Sequence, residues 1–213
     1  MEGEMTMFKF YDISMTIRED MQVYKNKEEL KPSIRCVRDF STSSAYESVI
    51  SLHLHTGTHV DAPLHMLQGG KTIDTIGLDQ LAGPARVLDL THVKGGIGRE
   101  HLEPFAIQRG EWILLKTSNS FSEAFDFEFV FLNEQGAAYL QEIGIKGVGI
   151  DSLGIERSQE GHPTHKTLLK NGIIIVEGLR LKDVPAGTYF MVIAPLKLTG
   201  VEAAPARALL IGN

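Results

Sequence analysis

Cysteine is almost missing from this chain: Cys36 stands alone among 213 residues. One thiol can form neither an intramolecular disulfide nor a zinc–thiolate cluster. No stretch approaches the roughly 20 apolar residues of a membrane span. The opening Met1-Glu2-Gly3-Glu4-Met5-Thr6 lacks the basic start and apolar run of a secretory signal. Positive charge is also short, with 21 Lys and Arg against 27 Asp and Glu, a formal net charge of −6. Nucleic acid or an anionic membrane surface would require a basic face, so neither is expected as a partner. Together these absences lead us to expect a cytoplasmic protein.

What remains is ordinary globular composition: 43% hydrophobic, 23% charged, with 21 Gly and 8 Pro. That excludes disorder and a disulfide scaffold. A chain this long buries roughly 70% of its unfolded surface, enough for a sizeable core. We find no repeat, low-complexity tract or linker, so residues 1–213 are expected to form one domain.

Phe8 to Ile13 reads as a first strand. Residues 18–48 are polar and irregular, which predicts a long functional loop or an arm that packs on a partner. Apolar runs at 49–55, 85–90, 112–116, 129–132, 147–151, 173–177 and 189–194 each read as a strand, being short, β-branched or aromatic, and bounded by turn residues. Asn133 is placed to cap a helix over 134–143, with Gly144 ending it in left-handed conformation. Thr164 is expected to cap a short helix over 165–170, ended by Asn171-Gly172. Strands with interspersed helices indicate an α/β domain with a mixed sheet. Gly96-Ile97-Gly98 lacks the third glycine of a dinucleotide fingerprint and reads as a plain turn. Cys36 has no charged partner in sequence and is expected to pack.

The histidines are concentrated. His53, His55, His59 and His65, four of the 8, fall within 13 residues, where even spreading would put roughly half of one. Odd positions carry His53, His55, His59, Asp61 and His65. Even positions from Leu52 to Leu64 carry Leu, Thr, Val or Ala. This period of two puts imidazoles and a carboxylate on one face and apolar groups on the other. A straight strand would nevertheless separate His55 from Asp61 by roughly 20 Å. Ligands of one metal must each lie about 2.0–2.2 Å from it. The chain must therefore bend if these residues share a cation, and Gly57 permits a bend. We read a strand ending near His55, a turn at Gly57 and a helical turn from His59, with Thr58 and Asp61 at the spacing of a capping box. That turn would bring Asp61 and His65 to one side. A solvated strand face or hydrogen-bonded core histidines would account for a single His, but poorly for three with an Asp around a glycine. Imidazole with carboxylate suits zinc or manganese.

A second cluster runs from Gly161-His162-Pro163-Thr164-His165 to Glu177, which ends the run Ile173-Ile174-Ile175-Val176. A carboxylate on a buried strand needs a partner. A metal would serve, and so would Arg180 or Lys182.

The segment His55-Thr-Gly-Thr-His59-Val-Asp61-Ala-Pro-Leu-His65 resembles the signature of the cyclase-like metal-dependent hydrolase family, which includes bacterial kynurenine formamidase (arylformamidase) and isatin hydrolase. The likeness runs from Asp12-Ile13-Ser14 through Gly149-Ile150-Asp151, His165 and Glu177 to Ala194-Pro195-Leu196-Lys197. The resemblance implies a compact α/β domain with a mixed, β-barrel-like sheet and a few helices, the swivelling β/β/α arrangement. It implies that His55, His59 and Asp61 bind one metal, that Asp61 bridges to a second which Glu177 completes, and that His165 is also a metal ligand. The expected cofactor is a divalent metal, two zinc ions, with manganese as an alternative. His65 matches the family's proton donor and acceptor. Members form homodimers or larger homo-oligomers, with the active site close to the subunit interface. Formamidases present a Trp followed by a Pro-Gly turn where this chain has Val23-Tyr24-Lys25-Asn26, so Tyr24 becomes the candidate aromatic wall for substrate.

The implied chemistry is hydrolysis of a C–N amide bond in a small molecule, with N-formylkynurenine the leading substrate type. The cation makes water nucleophilic, and His65 protonates the leaving amine. Ring opening of isatin-like lactams, a non-catalytic binding protein on the same scaffold, and a structural protein with buried histidines are the alternatives. His53 is expected to pack or to support the site, and Asp74, Asp79 and Asp151 to serve turns and caps.

Overall fold

Short runs such as Trp112-Ile-Leu-Leu-Lys116 and Ile174-Ile-Val-Glu177 are buried along their whole length, as strands covered on both faces must be. The computed structural model describes residues 8–212; the opening segment read above for a signal lies outside the described residues. The strands are β1 (Lys9–Asp12), β2 (Ser33–Arg38), β3 (Glu47–Ser51), β4 (His59–Asp61), β5 (Ala82–Asp89), β6 (Gly96–Ile97), β7 (Trp112–Lys116), β8 (Phe131–Leu132), β9 (Gly147–Ile150), β10 (Ile174–Glu177), β11 (Gly187–Pro195) and β12 (Ala203–Gly212). The α-helices are α1 (Leu78–Leu81), α2 (Arg99–Leu102), α3 (Glu134–Ile143) and α4 (Pro163–Lys170).

Seven strands close into a ring in the order β12-β11-β5-β7-β9-β10-β4 and back to β12, with β1 added on β12. The pairs β5–β7, β7–β9 and β9–β10 are parallel, and the other pairings of this sheet are antiparallel. This is the mixed, barrel-like sheet expected. Closure depends on Ala203–Pro205 pairing with β4 while the far end of β12 pairs with β1.

Alternation sorts the side chains of each strand to two sides. Val60, Val87, Leu114, Val176, Met191 and Ala208 fill the barrel interior with Trp112. A Cβ at Gly147 would run into the Trp112 ring, so β9 makes room for the indole. The opposite side of β7, β9 and β10 (Ile113, Val148, Ile175) packs under Leu140 of α3 and Leu168 of α4.

Asn133 caps α3 by accepting from the Gly136 N–H, and Gly144 closes it at φ +76°, as expected. Thr164 does not cap α4. His162 holds the N-cap position, and Thr164 lies inside the helix with its hydroxyl donating to the Leu132 carbonyl at 3.0 Å. Gly96-Ile97 is not a plain turn but a short strand paired with β8. The expected strand at 49–55 ends earlier, at Ser51, and belongs to a hairpin with β2, inside the segment read as irregular. Every residue of β2 and β3 is exposed, including Cys36, which does not pack. Lys25 and Asn26 both take positive φ, so the turn after Tyr24 is made by left-handed residues without a Pro-Gly pair.

Candidate metal centre

The chain leaves the hairpin, turns at His53–Thr56 and passes Gly57 at φ +70°. Gly57 and Gly178 approach so closely that a Cβ on Gly178 would overlap the Gly57 backbone. The Thr58 hydroxyl fastens this crossing, donating to the Gly178 carbonyl at 2.6 Å and accepting from the Met15 N–H at 2.7 Å. Thr58 is thereby committed, and the expected capping box with Asp61 does not form. Residues 59–61 are extended rather than helical, because β4 is needed to bridge β10 and β12. The period-two pattern thus holds locally, and the helical turn comes later, at Pro63–His65.

In the β4–β10 register His59 faces Glu177 and Asp61 faces Ile175. Ile175 lies on the outer side of the barrel, so His59, Asp61 and Glu177 share that side, beneath α4. His165 reaches the same place from the first turn of α4. The His59 Nε2 atom lies 3.3 Å from Glu177 Oε2 and 3.5 Å from Asp61 Oδ1. The His165 Nε2 atom is 3.3 Å from Glu177 Oε1 and 3.8 Å from Asp61 Oδ2. His55 arrives from the turn, its Nδ1 at 3.1 Å from Asp61 Oδ1. The turn at 63–65 folds His65 back over His55, ring centroids 4.2 Å apart. All six polar residues singled out in sequence, His55, His59, Asp61, His65, His165 and Glu177, therefore meet.

The centre is buried: His59 is 0% exposed, Asp61 1%, Glu177 4% and His165 5%. Among the described residues, His59 Nε2 and both Asp61 carboxylate oxygens are buried without a hydrogen-bond partner. Unpaired buried charge of this kind is costly unless a cation answers it. The His59 Nδ1 donates to the Gly57 carbonyl at 2.8 Å, which leaves Nε2 as the nitrogen facing the carboxylates, the one a cation would take in place of its proton. Burial lowers the basicity of His59, but Glu177 and Asp61 outweigh it and push its pKa up to about 9. For His165, burial is likewise outweighed by Glu156, Glu177 and Asp61, and the pKa rises to about 10. Burial acts to raise the Glu177 carboxyl, but the His165 and His59 imidazoles outweigh it and hold the carboxyl well below the usual range. The donor set fits a divalent cation: oxygen and imidazole nitrogen, converging, with one carboxylate common to two groups. Atoms of His59, Asp61 and Glu177 lie within 4.8 Å of one another, and so do atoms of His55, Asp61 and His65.

Arg180 and Lys182 do not serve Glu177. Arg180 donates to Glu123, and the Lys182 carbonyl accepts from Lys116. Asp151 is structural as expected, accepting from the Thr117 N–H and hydroxyl and from the Ser120 hydroxyl. The centre opens into a cleft of about 270 Å³ whose walls include Tyr24, Leu30, Met66, Leu153 and His53. Tyr24 stands edge-on against Phe125 and Phe129, with centroids 5.5 and 6.4 Å away.

Sequence reasoning missed Glu156, buried beside His165, and Glu202, whose Oε1 lies 3.5 Å from His55 Nε2. It named His162 only as part of the second cluster. Glu156 sits in a loop with no period to read. Its one signal is a carboxylate within ten positions of two histidines.

A family model described as putative cyclase matches residues 11–157. Kynurenine formamidase of Salinibacter ruber is 34% identical over 202 residues, covering 93% of this chain and 95% of that protein. Cyclase-like protein 1 of Arabidopsis thaliana is 37% identical over 217 residues, covering 95% and 85%. A solved structure described as a predicted metal-dependent hydrolase from Bacillus stearothermophilus shares 54% identity, with a TM-score of 0.90 and coverage of 97% and 100%. Isatin hydrolase A from Labrenzia aggregata, at 22% identity and a TM-score of 0.84 over 96% and 93% of the chains, shares the fold.

Proposed function

Since the chain belongs to the putative cyclase family, we propose that it is a metal-dependent hydrolase cleaving the C–N amide bond of a small molecule, of arylformamidase type. The observation that carries this is the pair of buried, unpartnered Asp61 oxygens, with His55 and His59 nitrogens within 3.5 Å of Oδ1, behind a cleft lined by Tyr24, His55, His65, His165 and Glu177. Kynurenine formamidases among the relatives at 30–34% identity support the reaction type. His55, His59, Asp61, His165 and Glu177 are the proposed ligands, with Asp61 shared between two zinc or manganese ions. A shared Asp61 is supported by the two donor groups that meet there, His55–Asp61–His65 and His59–Asp61–Glu177, although these divide the residues differently from the family's sets. A cation held there would bring the pKa of its water down to near neutrality and would polarise the amide carbonyl.

The chain's own groups do the rest. Burial, more than any neighbour, keeps the pKa of His65 below its ordinary value. Its imidazole is therefore neutral at pH 7, free to accept a proton from attacking water and to return it to the leaving nitrogen. The C–N bond breaks as the carbonyl carbon gains oxygen, giving a carboxylic acid, formic acid for a formamide, and an amine. Tyr24, held by Phe125 and Phe129, offers a flat face to an aryl substrate. Its place in a turn built differently from the formamidase Trp-Pro-Gly keeps lactam ring opening as a second reading, because a lactam breaks at the same bond.

We infer one domain, a homodimer or larger homo-oligomer assembled through the β2–β3 hairpin, and work in the cytoplasm. Among the described residues no helix is long and apolar enough to cross a membrane. Elemental analysis of purified protein, followed by turnover of N-formylkynurenine, formanilides and isatin, tests the reading. A stoichiometric divalent metal with formamide cleavage supports it. Isatin turnover without formamide turnover selects the lactam reading, and metal-free protein of native fold with no turnover ends both.

A further inference from the structure

Glu156 is a buried carboxylate outside the predicted ligand set, 4% exposed at the wall of the cleft. Its Oε1 lies 2.7 Å from the Nδ1 of His165 and 2.7 Å from the Nδ1 of His162. Its Oε2 accepts from the Thr164 N–H at 3.0 Å and from the Gln159 amide nitrogen at 3.1 Å. The backbone N–H and the amide can only donate, and a carboxylate only accepts. Both imidazoles must then carry their proton on Nδ1 to satisfy Oε1. For His165 this has a consequence at the other edge of the ring. With Nδ1 committed as donor, Nε2 is the nitrogen that faces Glu177 and Asp61, and it is the one that would offer its lone pair to a bound cation.

The local backbone supports this arrangement at a cost. His162 sits at φ 54°, ψ 54°, a left-handed conformation unusual for a residue with a side chain, at the N-cap of α4. Its side chain makes no capping bond to the helix and turns to Glu156 instead. Strain held in place at a cleft is expected where the position of a group matters.

We propose that Glu156 is a positioning residue, which fixes the tautomer and ring orientation of His165, with His162 holding Glu156 from the rim. This rests on the reading of His165 as a cation ligand. Glutamine at 156 fits poorly, because its amide N–H₂ would confront the donors of Gln159, Thr164 or the histidines. Aspartate keeps the charge but falls one methylene short.

The test measures zinc or manganese affinity by chelator competition for wild type, Glu156→Gln, Glu156→Asp, His165→Ala and the Glu156→Gln/His165→Ala double variant. Glu156→Gln is expected to weaken binding 10–100-fold, the range for partners of ligating histidines. Glu156→Asp recovers part of that loss. In the His165→Ala background Glu156→Gln changes affinity less than about threefold, because an effect carried through His165 has nowhere left to act. Long-range ¹H–¹⁵N NMR of loaded wild-type protein should show His165 protonated on Nδ1, a readout that needs no variant to fold. Unchanged affinity in Glu156→Gln, additive losses in the double variant, or a proton on Nε2 would each overturn the proposal. So would an extra equivalent of cation that disappears in Glu156→Gln while the others keep their affinity, since the triad would then be a cation site of its own. Wild-type protein that binds no divalent cation overturns the ligand reading itself, and this inference with it.

Discussion

Asp61 has both carboxylate oxygens buried and unpaired, with imidazoles of His55 and His59 within 3.5 Å of Oδ1. Its proposed place between two cation groups makes it the least replaceable side chain of the centre. Asp61→Ala is expected to lose bound metal and activity together, by elemental analysis and turnover; full activity in that variant would remove the shared-carboxylate idea. His65 separates the roles differently. His65→Ala should keep its metal and lose roughly 10²–10⁴-fold in kcat, the range for general acid–base catalysis. His65 also lies within ligand distance of His55 and Asp61, so metal departing with its side chain would make it a ligand. Protonation supplies a third test. His59 and His165, raised to about 9 and about 10, carry protons at pH 7 in metal-free protein and give them up to a cation. Their folded-state values lie above the ordinary 6.5, so the stability they contribute is complete below about pH 6.5 and is lost as pH rises through 9 to 10. Thermal melts of chelator-treated protein should therefore fall across that window, while metal affinity rises with pH.

At the scale of elements, legibility followed how local the cause was. The Asn133 cap and Gly144 terminus of α3 are set by contacts within one helix, and both are readable in sequence. The strands of Trp112–Lys116 and Ile174–Glu177 are readable because both faces are buried and every residue but the charged last one is apolar. β12 was invisible: Ala-Ala-Pro-Ala-Arg-Ala has low intrinsic strand preference, and only its three neighbours, β11, β4 and β1, make it a strand. β4 was misread for the same reason. The alternation of His59, Val60 and Asp61 permits a strand, but what fixes them as one is pairing with β10 and β12, 114 or more positions away by the registers Ile175–Asp61 and Ala203–Asp61. The convergence of the ligands was legible all the same, since any metal reading required a bend and Gly57 was the residue able to supply one. Its φ of +70° and the crowding a Cβ would meet from Ile17 and Met21 lead to a prediction. Gly57→Ala should destabilise the fold by about 1–2 kcal/mol, the cost of left-handed backbone for a residue with Cβ. It should also weaken metal binding, because His55 and His59 flank the bend. An unchanged denaturant midpoint would show that the turn carries no strain.

At the scale of the whole molecule the hairpin β2–β3 is the part the barrel does not explain. Its residues are all exposed, it pairs with no strand of the ring, and a lone two-stranded ribbon is marginal in water. Yet it carries Ile34, Val37, Val49 and Ile50 into solvent at 42–53% exposure. Apolar side chains on a ribbon without a core are expected where a second surface covers them. The hairpin also joins two walls of the cleft, since it begins shortly after Leu30 and ends shortly before His53. A copy docked there would stiffen the rim that holds Leu30 and Tyr24 as well as bury the ribbon. Sedimentation should therefore report a mass of at least two chains. A variant with Ile34, Val49 and Ile50 changed to Ser should shift toward monomer and raise KM more than it lowers kcat, because the rim loosens while the buried ligands stay in place. A monomeric wild type, or a dimer indifferent to those three changes, would assign the hairpin some other role.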